Sequence, residues 1–192
     1  MGSTPPRRAT AVALVLVLGL APVLPGPAGA SGATAGAGAG PETAAAGPLV
    51  EVALAALVGP GPAPAATVAA LPRYREVMGY TPGSAVLDGD PGRRAVKAGG
   101  ACSSPLGATA FDFDLACKAH DLGYDLLRYA DRVGAPLGQD ARRALDDRFA
   151  LDLDRRCEAT RRGAAEGLCR LLGEVYAGAA RLNSWRQGYG TP

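Results

Sequence analysis

The sequence predicts a mainly α fold, a small disulfide-stapled helical domain built on an antiparallel helix pair. Three observations predict it. Apolar residues recur at steps of three and four over three long segments beyond residue 110. Strand-type alternation is scarce along the whole chain. Four cysteines, an even set, stand in a chain whose first thirty residues read as an export leader, a setting that favours disulfides.

The elements follow in order. Met1 to Ala30 has the parts of a secretory signal: Arg7 and Arg8, an apolar or Gly run from Ala11 to Leu20, and Ala28-Gly29-Ala30 as a small-x-small cleavage pattern. The apolar run is shorter than the ~20 residues a bilayer span needs. The expectation is a secreted, extracellular protein whose mature form has no transmembrane segment. Residues 31–66 are almost entirely Ala, Gly, Pro, Ser, Thr and Val, and read as a linker or pro-region. Within them Val50 to Val58 is an apolar island suited to a helix docked on the domain. The folded domain is expected over residues 67–192, since all but four charged residues and all four Cys lie beyond residue 70.

Charge excludes one class of function. The formal charge of +2 comes from Arg7 and Arg8, and the rest of the chain balances to zero. Such a chain lacks the clustered basic excess of a nucleic-acid binder. Arg155, Arg156, Arg161 and Arg162 surround Cys157, but Asp152, Asp154 and Glu158 are interspersed, which reads as a solvated mixed face.

Asp112 to Val133 forms the first long helical segment, with Phe113, Ala116, Cys117, His120, Tyr124, Leu127 and Ala130 on one face and Gly134 as its stop. Asp112 and Asp114 suit the positive end of the helix dipole. The second runs from about Gln139 to Cys157, its inner face marked by Leu145, Phe149, Leu153 and Cys157. The third runs from about Ala164 to Leu182, and its stripe of Leu168, Leu171, Leu172, Val175, Tyr176 and Ala179 reads as core. The short Gly134–Gly138 reversal makes the first two antiparallel neighbours. Cys102, Cys117, Cys157 and Cys169 allow three pairings. Nearest neighbours are the most economical, each worth roughly 3 kcal/mol by chain entropy. No pair has the C-x₂₋₄-C spacing of a zinc site, and one His cannot complete it.

His120 is the chain's only histidine, so any imidazole chemistry uses it. The adjacent Asp121 points about 100° away on a helix and cannot face it. Antiparallel packing brings the middle of the second helix opposite, where Asp146 stands beside Asp147. A carboxylate on one ring nitrogen fixes the tautomer and leaves the other nitrogen as a base. The same pair read structurally is a buried His satisfied by an acid.

The run Cys102-Ser-Ser-Pro, then Phe111-Asp-Phe-Asp-Leu-Ala-Cys117-Lys-Ala-His120-Asp121-Leu-Gly123-Tyr124, resembles the secreted phospholipase A2 family of bacteria and fungi. Asp146 with Phe149, Cys157 eleven residues on and Cys169 twelve further extend the resemblance over about residues 95–180. It implies hydrolysis of the sn-2 ester of glycerophospholipids, by a monomer acting on substrate at a membrane or micelle surface. It implies His120 as general base, Asp146 as its partner, Tyr124 as a brace and the nearest-neighbour disulfides. It also implies a calcium ion held by Asp121 and by the backbone carbonyls of Gly100 and Ala101.

One position departs from the pattern: the family has Asp two residues before the first Cys, where this chain has Gly100. Calcium takes six to eight oxygens, often carboxylates, so another acid must substitute or affinity falls. Asp88, Asp90, Asp112 and Asp114 are the acids nearby in sequence. Three functions therefore stand side by side: a phospholipase A2, a phospholipase-like module that binds lipid or protein without turnover, and a stapled helical domain with no site.

Overall fold

The computed structural model describes residues 41–103, 111–160 and 162–192. The expected export leader and the first part of the expected linker lie outside the described residues. The elements in chain order are α1 (Pro41–Val58), α2 (Ala65–Ala69), α3 (Tyr74–Met78), β1 (Gly83–Val86), β2 (Arg93–Val96), α4 (Asp114–Arg132), α5 (Gln139–Thr160) and α6 (Ala164–Arg186). The mainly α class holds, and the disulfides are Cys102–Cys117 and Cys157–Cys169, with Cα atoms 5.1 and 5.6 Å apart.

The two central helices come from local sequence. α4 carries Ala116, Ala119, Gly123, Leu126 and Ala130 to the interior at steps of three and four. It stops where Gly134 takes φ of 74° and Ala135 N–H returns to the Ala130 carbonyl at 2.8 Å. The reversal lays α5 against α4, with Leu145, Phe149, Leu153 and Cys157 buried. α6 packs against α5, pinned near its start by Cys169.

Three features differ from the sequence reading. The segment read as linker is folded from residue 41: α1 buries Val50, Ala53 and Leu57 in the same core as Leu122, Leu126 and Leu145. The docked helix expected over Val50–Val58 is present; what the sequence reading missed is its start at Pro41, because the preceding Ala-rich residues carry few large apolar side chains. Its C-terminal carbonyls are met from across the core. Arg94 donates to the Leu57 carbonyl, and Arg148 donates to the Gly59 carbonyl at 2.6 Å.

A second difference is the antiparallel hairpin of β1 and β2, paired from Gly83↔Val96 to Val86↔Arg93. Its strands are four residues each, too short for alternation to show in sequence. It lies on α4 through Lys97 N–H to the Lys118 carbonyl at 3.0 Å, and so delivers the Gly99–Cys102 loop to the His120 turn.

The third is α6. The stripe read as core is largely solvent-facing: Leu168, Leu171 and Val175 are exposed, as are Leu182 and Trp185 farther along. The buried row of α6 is instead Cys169, Gly173, Tyr176, Ala177 and Ser184. Gly173 lies against Leu153 of α5, where a Cβ would make ordinary contact with Leu153 Cβ at 3.5 Å. Among the described residues no helix is long and apolar enough to cross a membrane.

Candidate active site

His120 projects from the middle of α4 towards α5, and Asp146 from the middle of α5 towards α4. The two meet: His120 Nε2 lies 2.9 Å from Asp146 Oδ1. The expected partner is thus the facing acid. Its neighbour Asp147 instead pairs with Arg181 at 2.9 Å on the surface. Gly123 leaves room for Leu145, one residue before Asp146: a Cβ there would fall 2.5 Å from Leu145 Cδ2 and force that side chain to shift. Two rings fix the imidazole plane, Phe149 stacked at 4.5 Å and Tyr124 at 4.2 Å between centroids.

Asp146 is 1% exposed and accepts three hydrogen bonds. Tyr124 OH donates to Oδ1 at 2.7 Å and Ser184 Oγ donates to Oδ2 at 2.6 Å. Burial pushes its pKa up, but the bonds from His120, Ser184 and Tyr124 outweigh that, and the carboxyl is held below its ordinary range. An ionised Asp146 only accepts, so Nε2 carries the ring proton and Nδ1 keeps its lone pair. Ser184 itself takes a bond from Arg142 Nε at 2.9 Å.

Asp121 takes a different direction, towards the loop. Its Oδ2 accepts the Ala101 N–H at 3.0 Å. Burial, only partly opposed by that bond and by His120 and Lys97, raises its pKa. The Gly100 backbone passes so close that a Cβ there would lie 2.7 Å from Asp121 Oδ2. The loop therefore presents backbone, and no acid, to Asp121. The other nearby acids are held elsewhere: Asp90 by Arg148 and Arg155, Asp88 and Asp112 by Arg156, and Asp114 by Lys118. Among the described residues no three potential metal-binding side chains gather in one place. Asp121 with its loop offers calcium one carboxylate, half of it already bonded, so these residues do not make up a calcium set by themselves.

His120, Asp121, Tyr124 and Phe149 line one side of a cleft of about 360 Å³, and Tyr176 and Asn183 of α6 line the other. The Cys102–Cys117 disulfide lies in its wall. One imidazole whose Nδ1 has no hydrogen-bond partner among the described residues, an adjoining acid and a lining of mixed apolar and polar side chains converge there.

Comparison with known proteins now bears on this cleft. Residues 94–184 match the family model of prokaryotic phospholipase A2. The match covers a little under half of the chain and runs from β2 to Ser184, taking in all four cysteines, His120, Asp121 and Asp146. No curated protein and no solved structure matches the chain. The phospholipase A2-like segment supplies every residue the sequence reading placed in the site. The residues it did not single out are Ser184 and Arg142. A signal for Ser184 exists: it continues the row Cys169, Gly173, Tyr176 and Ala180 at steps of three and four. A polar residue on an inner row requires a partner.

Proposed function

We propose that the chain is an exported phospholipase A2 that hydrolyses the sn-2 ester of glycerophospholipids to lysophospholipid and free fatty acid. The observation that carries the reading is the His120–Asp146 pair, bonded at 2.9 Å and opening on a cleft of mixed apolar and polar lining, within a segment matching that family. The two disulfides suit an oxidising compartment.

In this reading Nδ1 of His120 takes a proton from water as the water oxygen attacks the ester carbonyl carbon. Asp146 stabilises the imidazolium that forms. The imidazolium then returns the proton to the departing glycerol oxygen as the ester C–O bond breaks. Among the described residues no hydroxyl or thiol is hydrogen-bonded to Nδ1, and the Ser184 proton goes to Asp146, so the nucleophile is assigned to water. Calcium would stand at Asp121 with the Gly100 and Ala101 carbonyls. Because the residues fall short of a calcium set, no step is assigned to the ion.

The exposed row of α6 supports a substrate presented at a lipid surface. Tyr176, Ala179 and Asn183 face the cleft, and Leu171, Val175, Leu182 and Trp185 occupy the adjoining strip of the same helix. A mouth flanked by exposed apolar side chains suits a substrate held in a bilayer.

The lone carboxylate beside Gly100 favours a second reading, a phospholipase-like module that binds lipid without turnover. Vesicles of a phospholipid with different acyl chains at sn-1 and sn-2 decide between them. Selective release of the sn-2 fatty acid is expected. Binding with no release, at any calcium concentration up to about 10 mM, would establish the second reading.

A further inference from the structure

We infer that Ser184 and Arg142 are positioning residues: they fix the rotation of the Asp146 carboxylate and thereby hold His120 as its Nε2–H tautomer. The inference rests on the hydrogen-bond directions around Asp146. His120 and Tyr124 both bond Oδ1, at 2.9 and 2.7 Å. Among the described residues Ser184 alone bonds Oδ2, at 2.6 Å. Held at one oxygen only, the carboxylate could turn about its Cβ–Cγ bond and lose its line to the imidazole. Ser184 is the second point that stops it.

Arg142 holds the Ser184 hydroxyl in place from its other side. Nε of Arg142 donates to Ser184 Oγ at 2.9 Å, and a guanidinium never accepts. The Ser184 proton therefore has two places to go, Asp146 Oδ2 or the Tyr124 hydroxyl at 2.9 Å. An ionised carboxylate is the stronger acceptor, and the bond to it is the shorter. Tyr124 in turn gives its own proton to Oδ1. Every donor at Asp146 thus follows from an ionised carboxylate that only accepts.

Arg142 is itself built in. It is 0% exposed and forms no ion pair among the described residues. Nη1 donates to the Gly190 carbonyl at 2.5 Å, Nη2 to Gln187 Oε1 at 2.7 Å, and the guanidinium lies over the Tyr124 ring at 4.9 Å. A buried cation without a carboxylate of its own is costly unless an anion is near. Asp146, one hydroxyl away, is that anion. The chain of contacts from the Gln187–Gly190 turn through Arg142 and Ser184 to Asp146 makes the end of α6 part of the site's support.

The consequence for turnover rests on the phospholipase reading, but the tautomer does not, and the test separates them. His120 is the chain's only histidine, so ¹⁵N labelling gives one imidazole whose two nitrogens are assigned directly. In the neutral form, identified from the ¹⁵N shifts themselves across a pH series, the wild type should show a single Nε2–H tautomer with a protected ring proton. Ser184→Ala should give mixed tautomers and rapid exchange of that proton, and Ser184→Thr, which keeps the hydroxyl, should restore the wild-type pattern. In hydrolysis Ser184→Ala should lower kcat about 10- to 100-fold with KM little changed. A single protected Nε2–H in Ser184→Ala would overturn the inference, as would a natively folded Ser184→Thr that behaves like the alanine variant. Should Ser184→Ala not fold, Arg142→Lys keeps the charge and removes the Nε donor. Mixed tautomers are then expected, and an unchanged spectrum would overturn the inference. Tautomer changes as expected in a protein that releases no fatty acid would leave the positioning intact and remove the phospholipase.

Discussion

Gly123 is where helix packing and the His120–Asp146 distance become one quantity. A Cβ placed there would lie 2.5 Å from Leu145 Cδ2 and 3.3 Å from both Cδ1 and Cγ, about 0.9 Å short of ordinary contact at the nearest atom. Leu145 is 3% exposed and packed among Leu122, Leu126 and Ala141, so its tip has little room to swing. If α4 and α5 part by the whole 0.9 Å, the 2.9 Å bond lengthens to about 3.8 Å, beyond hydrogen-bond range. Overpacking costs about 1–3 kcal/mol, and Gly→Ala in a helix interior returns about 1 kcal/mol. Gly123→Ala should therefore lose about 0–2 kcal/mol of stability and a larger share of activity. Urea unfolding of Gly123→Ala, Leu145→Ala and the double variant measures the wedge. The double variant should be more stable than the sum of the singles allows, by at least about 1 kcal/mol. Additivity, or a Gly123→Ala variant more stable than wild type, would refute the argument.

Other predictions concern charge, metal and lipid. Asp125 is 3% exposed and bonded by Lys97 at 2.8 Å, Arg128 at 2.7 Å and Tyr80 at 2.8 Å. Burial raises its pKa, but those partners outweigh burial and hold it below the ordinary 3.8. The stability it contributes is full above that value and is lost as pH falls through the lower native value. Asp125→Asn should cost about 1–3 kcal/mol at neutral pH, and chemical unfolding should show the gap closing only below pH 3.8. Isothermal titration should give calcium binding no tighter than about 10⁻⁴ M, lost in Asp121→Asn, and micromolar binding would contradict the ligand count. Trp185, the only tryptophan and 66% exposed, should shift its emission to the blue on phosphatidylcholine vesicles, less so in Leu171→Asp. An unshifted spectrum would remove the α6 strip from the lipid-facing surface.

Much of the α4–α5 pair was legible because each helix declares itself by its own row of apolar residues. Gly134 marks the turn, which makes the opposition of His120 and Asp146 readable. The disulfides followed from nearest-neighbour spacing and from the resemblance together. Other features depend on tertiary partners that local sequence does not encode. α1 is held by Arg94 and Arg148, which are far away in the chain. The periodicity of α6 shows two candidate rows, and only contact with α5 selects the one containing Cys169 and Ser184 as inner. The acids near Gly100 looked available in sequence, and arginines and a lysine hold them in the fold. The role of Ser184 is invisible to any motif centred on His120, since it stands 64 positions later.

The central claim is that His120, oriented by Asp146, is the base for hydrolysis of a phospholipid ester. Its most direct test is sn-2 fatty-acid release by wild type, His120→Ala and Asp146→Asn, with native folding of each checked by circular dichroism. The account predicts release by wild type, a fall of about 10²–10⁴-fold for His120→Ala, and a substantial fall for Asp146→Asn with KM little changed. Undiminished release by a folded His120→Ala protein would contradict it.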